Sequence, residues 1–242
     1  MSKISIIIPV LNEEKYIEDL LYHLLENCTP KNISEIIVVD GGSNDDTCAI
    51  LNNFCQRRKK DNIDIKFCLV EQSPKGRAMQ MNTGAEFALG DVLYFLHADA
   101  LPPKNFDALI LKELSRGNNA GCFRMQFDSN HWWLRLASWF TQFNWRPCRG
   151  GDQSQFITRA LFDEIGGYDE NYRIYEDNIL INELYARNEF VVINKKIKTS
   201  ARQYKKTGIW KLQYHFWRIY VKRWFGASAT DIYSYYKKHI AP

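Results

Sequence analysis

The chain is 242 residues long, 45% hydrophobic and 14% aromatic, which excludes a disordered chain and suffices for one large α/β domain with or without a helical appendage. No stretch reaches the roughly 18 consecutive apolar residues of a membrane-spanning helix, and the six cysteines (Cys28, Cys48, Cys55, Cys68, Cys122, Cys148) lack C-x-x-C or metal-like spacing, so reduced, cytosolic thiols are expected. The formal charge of +4 conceals an asymmetry: from Lys195 onward twelve Lys and Arg accompany the single acid Asp231, so this end carries +11 and the preceding residues −7.

In chain order, strands and helices alternate. Lys3 to Val10 reads as a first strand rather than a signal peptide, because Pro9 breaks the apolar run and Asn12-Glu13-Glu14 follows it. Glu13 to Asn27 has Tyr16, Ile17, Leu20, Leu21, Leu24 and Leu25 along one helical face. Glu35 to Asp40 is strand, Asp45 to Lys59 helix with Ile50, Leu51 and Phe54 inward, Ile63 to Glu71 strand, Gly76 to Leu89 helix and Asp91 to His97 strand. This βαβ alternation predicts a parallel sheet with right-handed crossovers and helices on both faces. After Pro103 the rhythm changes. Asn105 to Ser115 is helix, Ala120 to Phe127 strand, His131 to Phe143 an aromatic-rich helix, Gln155 to Thr158 strand, Ala160 to Ile165 a short helix and Asp177 to Arg187 a helix. Phe190 to Ile193 and Ile197 to Thr199 read as edge strands.

The most telling segment is GDVLYFLHAD, Gly90 to Asp99, where a strand too apolar to border water on either face runs into an acid. Ligands of open α/β sheets sit beyond the carboxyl ends of the strands, so Asp99 would stand at that crevice and could hold a metal. Equally, Asp99 could begin the turn into Leu101-Pro102-Pro103 or cap the next helix. EIIVVDGGSNDDT, Glu35 to Thr47, ends a second buried strand with Asp40, then offers two glycines and a helix start, as a nucleotide site or a common connector would. It lacks both G-x-G-x-x-G spacing and a P-loop lysine, which disfavours hydride transfer and NTP hydrolysis.

Taken together, SIIIPVLNEEKYI (Ser5 to Ile17), EIIVVDGGSNDDT, GRAMQMNTGAEFALGDVLYFLHAD (Gly76 to Asp99), and RGGDQSQFITRALFDEIGGYDE followed by YEDNILINEL resemble the family-2 glycosyltransferases of the GT-A fold. The match spans about residues 3 to 188 in the right order. HAD in place of D-x-D, the GRAMQMN segment and TSARQY (Thr199 to Tyr204) look most like a bacterial subgroup of small, soluble members. The resemblance implies a Rossmann-like, mostly parallel central sheet flanked by helices over residues 1–204, with residues 205–242 as a basic, aromatic helical extension. It further implies a nucleotide-sugar donor held by Pro9, Leu11, Glu13, Asp40, Gly42, Arg77 and His97. A carboxylate can accept the imide N–H of uracil, which gives Asp40 a base-reading role and favours a UDP-linked sugar. Arg77 would pair with the phosphates, or stand exposed at a helix start. Asp99 takes the place of the last acid of D-x-D and would bind Mn²⁺ or Mg²⁺ as a Lewis acid on the diphosphate. His97 replaces the family's first acid; imidazole suits Mn²⁺ better than Mg²⁺, and the residue could instead contact ribose.

By the same resemblance, Asp177 matches the general base of inverting members, with Glu176 supporting it, while Asp152 and Gln153 lie in the loop beneath the acceptor. Read alone, Asp177 could simply stabilise a helix start. The acceptor hydroxyl would belong to a lipid-linked or cell-envelope glycan. A nucleotidyltransferase would normally carry a glycine-rich basic loop after the first strand, and PVLNEEKY has none. A non-catalytic nucleotide-sugar or membrane-surface binding protein would not need Glu176-Asp177. The acidic body disfavours nucleic acid as a partner.

Beyond Tyr204 the resemblance thins. Trp210, Tyr214, Trp217, Val221 and Trp224 form one helical stripe within Gly208 to Phe225, and Lys211, His215, Arg218 and Lys222 a neighbouring one. Such a helix, together with Trp132, Trp133, Trp139 and Trp145, suits an anionic membrane surface, here the inner face of the cell membrane; alternatively its aromatic stripe packs on the domain or on a second subunit.

Overall fold

The computed structural model describes residues 2–60, 65–70 and 73–241. β1 (Ile4–Val10), α1 (Ile17–Asn27), β2 (Ile33–Asp40), α2 (Thr47–Lys60), β3 (Lys66–Val70), α3 (Arg77–Phe87) and β4 (Val92–Phe95) form the first half. β5 (Ala100–Leu101), α4 (Phe106–Leu114), β6 (Ala120–Phe127), α5 (Trp132–Phe140), β7 (Gln155–Thr158), α6 (Arg159–Ile165), α7 (Glu176–Ala186), β8 (Val191–Thr199), α8 (Arg202–Thr207), α9 (Ile209–Trp224) and α10 (Ala229–His239) complete it. Of the strand expected over Ile63 to Glu71, residues 63, 64 and 71 lie outside the described residues.

The strands form one eight-stranded sheet in the order β3-β2-β1-β4-β7-β6-β8-β5. The first four are parallel, as the βαβ alternation predicts. The expectation of a parallel sheet fails beyond β4, because β7 runs antiparallel to both β4 and β6, while β6 and β8 are parallel. Side-chain alternation sends each central strand into two cores. Ile4, Ile6, Ile8 and Val10 of β1 pack with α1, α2 and α4, whereas Ile7 packs with α3, α6 and α7. Each such buried Ile stabilises the fold by about 1.5–3 kcal/mol relative to exposure. On the second face α3 approaches closely: a methyl at Gly84 would lie 2.4 Å from Ile7 Cγ2.

Pro9 is tolerated inside a central strand for a geometric reason. Residues two apart in a strand address the same neighbour, and Ile7, whose carbonyl accepts from Leu96 N–H, marks where β4 ends. The missing N–H of Pro9 therefore points past the last rung.

Three expectations are corrected at element boundaries. α1 begins at Ile17 rather than Glu13, because Asn12 is left-handed (φ +57°) and the N–H groups of Glu13 and Glu14 donate to Thr47 and Asp45 across the loop after β2. The two predicted edge strands are one strand, β8, interrupted only by a register shift between Phe123 and Arg124 of β6 that accommodates Asn194 and Lys195. β8 also lies inside the sheet, flanked by β6 and the two-residue β5. The short α8 was unanticipated, and the helical extension expected over residues 205–242 ends in α10, opened by the capping box of Ser228 and Asp231.

α9 and α10 pack on the body through Leu212, Ile219, Ile232 and Ile240, which cluster with Tyr172, Ile174, Tyr175 and Ile179. The stripe that turns inward on α9 is Leu212, His215 and Ile219. The aromatic stripe is divided: Trp210 and Trp217 lie against Trp132 and Trp133 of α5 yet stay about half exposed, Tyr214, Val221 and Trp224 are exposed, and His215 leaves the cationic stripe for the interior. Among the described residues no helix is long and apolar enough to cross a membrane.

Candidate active site

The cleft begins where β1 and β2 end. Gln80 of α3, buried, donates from Nε2 to the carbonyls of Val10 and Val39, each at 2.8 Å, and so ties the two strand ends together. In the turn after β2 the Asp40 carboxylate is 2% exposed and accepts from Gly42 N–H at 2.8 Å, from Ser43 N–H at 3.0 Å and from the Ser43 hydroxyl. Gly42 adopts φ +87°, which a side chain would resist. Asp40 thus builds the turn with both oxygens, and any base reading must use its remaining lone pairs. Ser43 and Asn44 in turn bond Asn12, fastening the segment after β1 to the same turn. Within that segment Pro9 is half-buried, Leu11 exposed and Glu13 half-buried.

The next wall is a charge cluster around Asp99. Arg202, at the start of α8, donates from Nη1 and Nη2 to the two carboxylate oxygens of Glu13 at 2.6 and 2.5 Å. Its Nε lies 3.0 Å from Asp99 Oδ2, and its guanidinium carbon 4.8 Å from the Tyr16 ring centre. A cavity of about 400 Å³ lined by Asn12, Lys15, Tyr16, Asp45 and Arg202 opens at this end. Among the described residues no three His, Cys, Asp or Glu side chains gather into a metal cage. Mg²⁺ and Mn²⁺ at diphosphates commonly use one or two carboxylates and the phosphates themselves, so Asp99 with His97 two residues away fits an ion that arrives with its nucleotide. Burial, then the charges of Arg77 and Arg202, hold the His97 imidazole well below its ordinary range, and the neutral ring is the ligating form. Its Nδ1 stands 4.0 Å from Asp152 Oδ1, a contact between a neutral ring and a carboxylate rather than an ion pair.

At the far end sits the acid pair that opens α7. Tyr175 occupies the N-cap with φ +73° and makes no side-chain cap, and the two acids follow it in the first turn. Glu176 is 1% and Asp177 9% exposed. Burial raises both carboxyl groups above their ordinary range; for Glu176 the charge of Asp177 adds to it, and Arg77 opposes it in both. Glu176 Oε2 is buried without a hydrogen-bond partner, a cost that is greater for a charged carboxylate than for a neutral carboxyl. Arg77, half exposed at the start of α3, lies 3.4 Å from Glu176 Oε1 and 3.9 Å from Asp177 Oδ2, so in the free chain its partners are the acid pair.

Asp152 bridges the two ends. It is exposed in the turn Gly151–Gln153, and the charges of Asp99 and Arg202 on one side and of Asp177 and Arg77 on the other all act on it. Beneath it, a methyl at Gly151 would fall 2.0 Å from Asp177 Oδ2. Gln153 does not match its expected acceptor-facing role. Its buried side chain accepts from Arg149 Nη1 at 2.7 Å and from Cys122 Sγ at 3.2 Å, and donates to Cys148 O at 2.6 Å, so it holds the loop together. Arg202, within TSARQY and weighed from the sequence with nearby lysines as a diphosphate contact, and Gly151, within RGGDQSQ, are contributors whose partners in the site the motifs did not specify.

A family model described as Glycosyl transferase family 2 matches residues 5–181. The probable glycosyltransferase YdaM of Bacillus subtilis (strain 168) is 28% identical over 201 residues, which are 76% of this chain and 47% of that protein. Glycosyltransferase AglE of Haloferax volcanii is 37% identical over 99 residues, 41% of this chain and 31% of that one. The chain therefore spans less than half the length of these relatives. Among solved structures, the mannosyltransferase PcManGT from Pyrobaculum calidifontis in complex with GDP-Man and Mn²⁺ aligns with a TM-score of 0.68 at 22% identity, over 90% of this chain and 60% of that one. S. aureus TarS 1-349 in complex with UDP-GlcNAc aligns with a TM-score of 0.63 at 22% identity, over 82% of this chain and 58% of that one. These likenesses establish the GT-A fold.

Proposed function

The chain belongs to glycosyl transferase family 2, and from that membership we propose that it is an inverting, metal-dependent enzyme moving a sugar from a UDP-linked donor to an acceptor hydroxyl. The observation that carries this reading is the run of contacts Arg202–Asp99, His97–Asp152 and Gly151–Asp177, which gathers acids from the end of β4, the loop before β7 and the start of α7. The nucleotide lies along Pro9 to Glu13 and the Asp40–Gly42 turn. Its diphosphate faces Arg202, whose guanidinium presents several donors at an anion's edge. Asp99, with His97, would hold Mn²⁺ or Mg²⁺, and the chemistry such an ion supplies when bound is neutralisation of the diphosphate. Solved neighbours carry Mn²⁺ beside GDP-Man and beside UDP, which supports divalent ions in this fold.

Asp177 accepts the proton of the acceptor hydroxyl as its oxygen attacks the anomeric carbon. The bond from that carbon to the diphosphate oxygen breaks on the opposite face, so configuration inverts and the electron pair leaves with the nucleoside diphosphate. Glu176, holding its own proton, leaves Asp177 ionised, and Arg77 keeps the carboxylate in place. Asp152, exposed between the two ends, contacts acceptor hydroxyls. A pure binding module would have no use for a buried pair of adjacent acids at this place. The acceptor is a lipid-linked or cell-envelope glycan, and the reaction runs in the cytoplasm beside the membrane that bears it; the basic C-terminal end supports this placement.

The test is a thermal-shift screen of nucleotide sugars with and without Mn²⁺. A donor at about a hundred times its dissociation constant should add roughly 2.7 kcal/mol, or about 5–10 °C in Tm for a chain of this size. Asp99→Ala should remove the Mn²⁺-dependent part of that shift. Asp177→Asn should keep it while lowering donor hydrolysis, with water as acceptor, by about 10²–10⁴. Stabilisation by no nucleotide sugar or nucleoside diphosphate would end the reading.

A further inference from the structure

We propose that the outer face shared by α5 and α9 docks on an anionic lipid bilayer. Both helices turn only a narrow stripe inward. α5 buries Leu134 and Ser138 while Trp132 and Trp139 stay exposed at 59% and 49%; on α9, Trp210, Trp217 and Trp224 are exposed at 53%, 52% and 87%. The two ridges are one surface, because Trp132 and Trp133 lie 5.8 and 5.4 Å from Trp210 and Trp133 lies 6.2 Å from Trp217. Leaving several indoles half or more exposed on one contiguous patch is costly in water unless something covers them.

Charge identifies the cover. Residues 129–151 and 200–230 contain no Asp or Glu, and they carry three and seven Lys and Arg respectively. Lys211 and Arg218 are exposed beside the indoles. Indole rings settle at headgroup depth, and cations there gain from anionic lipid. A second copy of the chain fits poorly, since a symmetric contact would press these like-charged faces together. Trp224 and Phe225, exposed at 87% and 85%, are apolar wedges at the helix end.

The face also borders the acid pair. Tyr220 of α9 packs on Tyr175 at 5.3 Å, the residue before Glu176, and Arg146, beyond α5, donates to Asn178 O at 3.1 Å. Docking would therefore bring the acceptor side of the cleft to the bilayer surface. That orientation rests on the proposed glycosyl transfer, whereas the docking itself does not.

The full chain should be floated with vesicles of phosphatidylcholine alone and of phosphatidylcholine with about 30% phosphatidylglycerol. Binding to the anionic vesicles should exceed that to neutral ones about tenfold and fall as salt rises. Trp224→Ser with Phe225→Ser, and separately Lys211→Glu with Arg218→Glu, should each lower binding about tenfold while circular dichroism and the donor-induced thermal shift stay as in the parent. Absence of binding by the parent chain, or binding unchanged in both variants, overturns the proposal. So does a parent dimer that Trp224→Ser with Phe225→Ser converts to monomer, which assigns the face to self-association, or tighter retention on DNA than on the anionic vesicles. Because vesicle binding needs no donor, its failure and a failure of the proposed activity are read separately.

Discussion

Gly151 shows how narrow the tolerance is around Asp177. The carboxylate occupies the space that any side chain at position 151 would need, with the closest approach 2.0 Å from Oδ2. Asp177 is 9% exposed and so has little room to step aside. Gly151→Ala must therefore displace the base by about an ångström, and misplacement on that scale costs about 10²-fold in rate. Donor binding, made at the other end of the cleft, should change little. Turnover of Gly151→Ala within twofold of the parent enzyme would show that Asp177 is not held where the reaction needs it. Single residues were legible in the sequence to different depths, for physical reasons. The positions of Asp99 and Asp177, though not their roles, could be read because a buried strand end and a helix start fix where an acid stands. Gln153 and Arg77 could not, since each had several polar partners in reach and only packing decides between Arg149 and an acceptor, or between a phosphate and Glu176.

Among the elements, β8 does most to assemble the cleft. It pairs with β6 from Val191 to Thr199 and with β5, and Ser200 N–H donates to Asp99 O at 3.2 Å. The chain leaving β8 is thus stapled to the residue that closes the β4 turn, and Arg202 follows two residues on. No local pattern could announce this, because it depends on a ladder between segments some 70 residues apart and on a register shift that splits the apolar pattern of β8. The parallel half of the sheet was readable because its alternation is local; the antiparallel β7 was not, since orientation within a sheet leaves no mark on a four-residue strand. In the free chain Arg202 is the counter-cation of both Glu13 and Asp99. Arg202→Gln should therefore raise the affinity of the donor-free chain for Mn²⁺, by removing a competing cation, and weaken nucleoside diphosphate binding about tenfold, the value of one charge-assisted hydrogen bond. Mn²⁺ titration followed by electron paramagnetic resonance and calorimetry with UDP read the two effects independently. Weaker Mn²⁺ binding in Arg202→Gln would mean that Arg202 shapes the Asp99 site instead of competing for it.

At the scale of the whole molecule the question is whether residues 205–242 are an appendage or part of the enzyme. Composition marks them off, since they hold eight Lys and Arg and the single acid Asp231. Packing ties them in: Leu212, Ile219, Ile232 and Ile240 share their cluster with Tyr172, Ile174, Tyr175 and Ile179, which lead into and form the first turn of α7. That cluster is small beside the two cores of the sheet, too small to hold two helices together alone. Its loss would also loosen Tyr175, whose left-handed backbone (φ +73°) costs about 1–2 kcal/mol and must be held by its surroundings. Calorimetry should therefore give one unfolding transition for the full chain, raised by UDP. Ile232→Ala, which truncates a fully buried side chain of α10, should lower stability by about 2–5 kcal/mol and Tm by roughly 5–15 °C, moving that same transition. Two transitions, with Ile232→Ala shifting only the smaller and UDP only the larger, would separate the extension from the site, and Glu176 and Asp177 would then owe their placement to the sheet alone.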